Sequence, residues 1–186
     1  SAHHRYLHSF PPRRSSDLAV GGWIGDRVLG SKHTAVLGAL ILAAGYIMLS
    51  LPIPALLFPA LAIVAVGGGI FKANPANLIS KIYEGDSAKI DSAFTMYYMA
   101  VNLGATLSQI FTPLFAVWFG WHVAFGLCAA GLLVGLTNYL VMHRHLSHIG
   151  SEPDFKPLDM RKFVPVLIGI VLCIVAVTFI IQNLDL

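Results

Sequence analysis

Lys72 is the residue on which chemistry can be built. It stands well inside an apolar run from about Pro54 to Ile82, longer than the ~20 residues needed to cross a bilayer. A lysine at that depth usually faces a water-filled cavity or a partner, not lipid. Gly67, Gly68 and Gly69 precede it by a turn and let a neighbouring helix or a ligand come close. Pro75 leaves a backbone carbonyl without its donor and favours a kink. A buried cation on a kinkable, small-residue helix points to a site for an anionic group. The plainer alternative is a lysine that snorkels to the headgroups.

A second set of polar residues lies further on. Thr95, Tyr98, Asn102 and Gln109 share one face of a helix at ~100° per residue. Polar groups in lipid must be met by a neighbouring helix or by water. The stripe therefore reads either as inter-helix hydrogen bonding, worth ~0.6 kcal/mol per bond, or as the wall of a solvated cavity shared with Lys72. No nucleophile–base set appears, so an enzyme is not expected. Cys128 and Cys173, the two cysteines, lie in apolar runs and form neither a disulfide framework nor a metal-ligand spacing. No metal or other cofactor is expected.

The elements that must position these residues are membrane spans. The chain is 56% hydrophobic and 11% charged, with a mean hydropathy of +0.74, where soluble domains carry ~25% charged residues. The formal charge of +3 sits in loops between spans, which argues against a nucleic-acid partner. Apolar runs predict spans over His33–Leu51, about Pro54–Ile82, Ser92–Trp118 (broken late by Pro113), His122–Met142 and Phe163–Ile181. Ala19–Ile24 reads as the last turns of an earlier one. Gly131 and Gly135 form a close-packing signature within the His122–Met142 span.

Orientation follows from the basic residues. Arg27, Lys32, Lys81, Lys89, Arg144, Lys156, Arg161 and Lys162 all fall on one side of these spans, which is therefore cytoplasmic. Trp118 and Trp121 mark the opposite interface.

Ser1–Leu18 stands apart. It has neither the apolar core nor the cleavage signal of a targeting peptide. It resembles the conceptual translation of a common sequencing adapter, and is expected to be a non-native tail. The remaining expected divisions are a partial bundle of membrane helices over residues 19–147, a cytoplasmic linker over 148–162 and an additional transmembrane helix over 163–186. An unclosed set of helices leads us to expect a fragment of a longer protein, cut at both ends.

The residues Phe71-Lys72-Ala73-Asn74-Pro75, followed by Phe94-Thr95-Met96-Tyr97-Tyr98-Met99-Ala100-Val101-Asn102-Leu103-Gly104, resemble the proton-dependent oligopeptide transporters. Within that family the resemblance is nearest to the bacterial dipeptide and tripeptide permeases. Gly21–Gly30, with Asp26 and Arg27, is similar to the loop between the second and third spans of major facilitator transporters, and Pro153-Asp154-Phe155 fits the family's linker. Ala105 departs from the serine found in many members.

The resemblance implies an all-α major facilitator fold. The chain would hold the end of span 2 through span 6 of the N-terminal bundle, plus one inter-bundle helix. It implies proton-coupled symport of di- and tripeptides by alternating access at a bacterial cytoplasmic (inner) membrane, driven by the proton gradient without a cofactor. Lys72 would face the peptide carboxylate and take part in proton coupling. Tyr98 and Asn102 would contact bound peptide, and Asp26 and Arg27 would belong to the cytoplasmic gate loop. Hydrogen bonds to a peptide's backbone would hold it without demanding particular side chains. Two alternatives stand beside this reading: a same-family transporter of another small solute, and a non-transporting helical membrane component that binds a protein partner.

Overall fold

The computed structural model describes residues 28–150, 152–156 and 159–183. The tail Ser1–Leu18, the helix end at Ala19–Ile24 and the loop residues Asp26 and Arg27 lie outside them. Among the described residues the structure is all-helical. Its long helices are α1 (Ser31–Ser50), α2 (Leu57–Ile82), α3 (Ser87–Phe119), α4 (Trp121–Met142) and α5 (Met160–Asn183). All five are long and apolar enough to cross a membrane.

Aspartates explain why three helices begin earlier than their apolar runs. The Asp86 carboxylate accepts the Lys89 N–H at 3.2 Å and caps α3, which therefore starts at Ser87 and not at Ser92. Lys89 also pairs with Asp86 at 3.0 Å. The Lys89 side chain, then its backbone N–H, holds the Asp86 carboxyl below its ordinary range. Asp159 accepts the Arg161 N–H at 3.0 Å and starts α5 at Met160. The third case, α1, is capped from far away in the chain, as described below.

Proline does not end the spans. α3 continues through Pro113, and α2 through Pro75. A proline removes one donor from the ladder while the bonds on either side remain, which a helix inside a membrane can accommodate. With 33 residues, α3 is about 50 Å long, so its charged first turn extends beyond an apolar slab of ~30 Å.

The core is the contact of α1 with α2, made by glycines and alanines. A Cβ on Gly38 would lie 2.8 Å from the Phe71 backbone nitrogen, and one on Gly67 would lie 2.8 Å from that of Leu42. Ala35, Ala39 and Ala43 on α1 and Ala60 and Ala62 on α2 are buried. Without water to drive helices together, close backbone approach supplies the packing. Of the three consecutive glycines only Gly67 serves it: Gly68 makes ordinary contact with Leu42, and Gly69 has nothing within 4 Å.

α4 packs on α1 and α3, and α5 on α2. α3 and α4 are joined by Gly120 alone, which caps both with φ 89° and ψ 158°, a left-handed conformation that suits glycine. Gly131 and Gly135 are not used for close packing, since nothing lies within 4 Å of either. They line a 340 Å³ apolar groove with Ala35, Phe71, Pro75 and Tyr139. The glycine spacing is present on α4, but the facing backbones stay apart.

Candidate functional site

The sequence Phe71–Pro75 divides between two faces of α2. Phe71 and Pro75 line the apolar groove shared with α1 and α4. Asn74 is fully buried, and its side-chain amide donates to the Ile70 carbonyl at 2.7 Å. Lys72 precedes Asn74 by two residues, about 200° around the helix, and is exposed. Gly69, one turn earlier, also meets open space. The lysine therefore stands on a small-residue face that α1 does not cover. Among the described residues it forms no hydrogen bond or ion pair.

Tyr98 and Asn102 lie one turn apart on α3 and are exposed, Tyr98 by 58%. The Tyr98 ring contacts Phe94 and Tyr97 on its own helix. The stripe residue Thr95 donates to the Asp91 carbonyl at 2.8 Å, and Thr106 to that of Asn102 at 2.9 Å. These hydroxyls are thus satisfied within α3 and do not bridge to another helix. α3 is exposed nearly all round, with Ala116 its buried residue, so exposure does not set the polar stripe apart from its neighbours. α2 touches α3, but no hydrogen bond joins Lys72 to Tyr98 or Asn102 among the described residues.

A second polar centre, at the start of α1, is built much more tightly. The Asp154 side chain is 0% exposed. Its carboxylate accepts the Lys32 N–H at 3.1 and 3.3 Å and the His33 N–H at 3.5 Å. His33 Nδ1 lies 3.1 Å from both Asp154 Oδ1 and the Leu29 carbonyl. Both neighbours can only accept, so Nδ1 carries the proton. The Lys32 ammonium stands 5.9 Å from the centre of the Phe155 ring, a cation–π distance. Gly30, at φ 89°, leaves the space that Asp154 fills. Asn77 on α2 donates to the Ser31 hydroxyl at 3.0 Å. An anion at a helix N-terminus satisfies orphan N–H groups and complements the dipole, here 122 residues away in sequence. The Pro153-Asp154-Phe155 motif marked the linker, but nothing local in it indicates which helix it reaches.

Among the described residues no cluster of three or more His, Cys, Asp or Glu is arranged to hold a metal.

Residues 32–185 match the POT family (PTR2). The chain belongs to the POT family. It is 46% identical over 168 residues to dipeptide and tripeptide permease A of Serratia proteamaculans (strain 568), covering 89% of this chain and 33% of that permease. It is 44% identical over 170 residues to dipeptide and tripeptide permease B of Shigella dysenteriae, covering 90% and 35%. The chain thus spans about a third of these relatives. Its fold is that of solved POT transporters. It superposes on tetrameric PepTSo2 with a TM-score of 0.83 at 45% identity, covering 91% of this chain and 38% of that one. A POT family transporter in complex with 5-aminolevulinic acid gives 0.71 at 32% identity, covering 91% and 36%. With five apolar helices, this POT family chain is a multi-pass membrane protein.

Proposed function

We propose that this chain supplies part of the substrate passage of a proton-coupled symporter for di- and tripeptides. The observation that carries the reading is Lys72, a charged side chain far from either end of α2, on a face that α1 leaves open. A peptide is a zwitterion, and its carboxylate matches an ammonium in a cavity of low dielectric. Tyr98 and Asn102 offer a hydroxyl and an amide, which can hydrogen-bond a peptide backbone without selecting its side chains. The relatives named as dipeptide and tripeptide permeases support this substrate class.

Proton coupling is assigned to Lys72 as an ionisable side chain far from either end of α2, on the face that α1 leaves open. Alternating access about a midplane site would carry the substrate, with the proton gradient as driving force and no cofactor. Transport, not catalysis, is the proposed activity. We assign Asp26 and Arg27 to the cytoplasmic gate loop, Ser1–Leu18 to a non-native tail, 148–162 to a cytoplasmic linker and the membrane to the bacterial inner membrane.

The test uses the full-length protein in vesicles with an imposed pH gradient. Lys72→Ala is expected to reduce dipeptide uptake at least tenfold, about 1.4 kcal/mol or more. Undiminished uptake would overturn the assignment.

A second reading has a specific support. The POT neighbour bound to 5-aminolevulinic acid takes a ligand with an amine and a carboxylate but no peptide bond. Competition decides: dipeptides should displace labelled substrate more strongly than 5-aminolevulinic acid does. The reverse order assigns the site to a non-peptide solute. A non-transporting partner-binding role is tested by Asn102→Cys. Rapid labelling by a water-soluble thiol reagent fits a passage, and protection fits a protein interface.

A further inference from the structure

A groove of 380 Å³ opens between the basic ends of α1 and α4, beside Phe163 on α5. Its two long walls are layered alike. On α1, Lys32 and His33 come first, then Val36 and Leu37, then Leu40. On the α4 side, His143 just past the helix end comes first, then Leu140 and Tyr139. One turn is about 5.4 Å, so both walls pass from basic or imidazole groups to an apolar surface within about one turn. This is the polarity profile of a phospholipid, from its phosphate to its first methylenes.

Tyr139 stands at the boundary between these layers. Its hydroxyl is buried and has no hydrogen-bond partner among the described residues, and its ring meets the edge of the His143 ring at 6.4 Å. A buried hydroxyl without a partner has lost its water without regaining a hydrogen bond. A phosphate or ester oxygen could accept its proton. Asp154 is the nearby acid, but its carboxylate is fully buried against the N–H groups of α1 and the His33 ring. Arg144, exposed beside His143, adds positive charge at the same level.

We propose that this groove binds one anionic phospholipid of the cytoplasmic leaflet. Its phosphate lies between Lys32 and His143, its ester oxygen accepts from Tyr139, and an acyl chain runs along Val36, Leu37 and Leu40. Basic pockets between the cytoplasmic ends of membrane helices suit such headgroups. The site lies on a different part of the molecule from Lys72 and does not depend on what is transported.

Native mass spectrometry of the intact protein, titrated with phosphatidylglycerol or with phosphatidylcholine of the same chains, tests it. One phosphatidylglycerol should be retained per chain, with phosphatidylcholine about tenfold weaker. Lys32→Gln should weaken phosphatidylglycerol about fivefold, from ~1 kcal/mol per basic residue. Tyr139→Phe, which preserves the ring and the packing, should weaken it about threefold, the value of a typical hydrogen bond. Arg161→Gln with Lys162→Gln, outside the groove, should leave it unchanged.

Equal retention of the two lipids would overturn the proposal. So would wild-type retention by both groove variants, or an equal loss in the Arg161/Lys162 variant. Displacement by glycerol phosphate at the concentration at which the lipid itself competes would also overturn it, by reassigning the groove to a free anion.

Discussion

The start of α1 and the Lys72 side of α2 treat charge in opposite ways. At the first, Asp154, Lys32 and His33 engage one another and the backbone, and Asp154 is wholly enclosed. At the second, Lys72, Tyr98 and Asn102 are exposed and make no polar contact with one another. The difference separates two uses of costly polar groups in a membrane protein. A charge matched within the chain holds elements together. A charge left facing outward on a membrane-spanning helix calls for something else to meet it. In the proposed transporter that something is substrate.

Five substitutions test this contrast. The largest effect is expected for Gly30→Val. A branched side chain would be held at positive φ, which costs ~1–3 kcal/mol, and would collide with Asp154. We expect a loss of about 3 kcal/mol or more in reversible unfolding in micelles. Retained stability would mean that the linker is not seated on α1.

Gly67→Ala comes next. Its Cβ meets the Leu42 backbone at 2.8 Å, and overpacking costs ~1–3 kcal/mol. Gly69→Ala, two residues on, meets nothing. It should be neutral or slightly stabilising, by ~0.5 kcal/mol, because alanine is the better helix former. Equal effects would show that the open face is covered by a neighbouring helix.

Asp154→Ala should cost about 1–2 kcal/mol, the usual range for an N-cap. It should also release the N–H groups of Lys32 and His33 to faster hydrogen exchange. Unchanged exchange there would remove the cap from the account.

The smallest effect concerns Asp86, whose carboxyl titrates below its ordinary range because Lys89 favours the ionised form. Its contribution is complete above the unfolded-state pKa and is lost as pH falls through the lowered folded value. Relative to Asp86→Ala, the wild-type first turn of α3 should be better protected at neutral pH, with the advantage fading in strong acid. A constant advantage would contradict this.

The spans were legible because a bilayer imposes one demand, a long apolar run, and residues 57–82 and 121–142 meet it without ambiguity. The start of α3 was also within reach, since Asp86 before Ser87 is a local capping signal. The start of α1 was not, because its cap is supplied from across the fold. Gly131 and Gly135 show a different limit: a spacing declares that two backbones are able to meet, and only the neighbour's position decides whether they do. Lys72 was readable as a lone charge in an apolar run. Its placement on the face opposite Asn74 needed only the helical period. Whether Lys72 and Tyr98 meet depends on how α2 and α3 face each other, which no single run encodes.

The joint at Gly120 has a mechanical consequence. With one residue between them, α3 and α4 have no slack at their tryptophan-bearing ends, whereas α4 and α5 are separated by seventeen residues at the other end. Any rocking of the pair must pivot about that glycine as a stiff hairpin. In the proposed transporter the wider excursions would belong to the basic side of the membrane, so stiffening or lengthening the glycine joint should alter the speed of turnover before it alters what is carried.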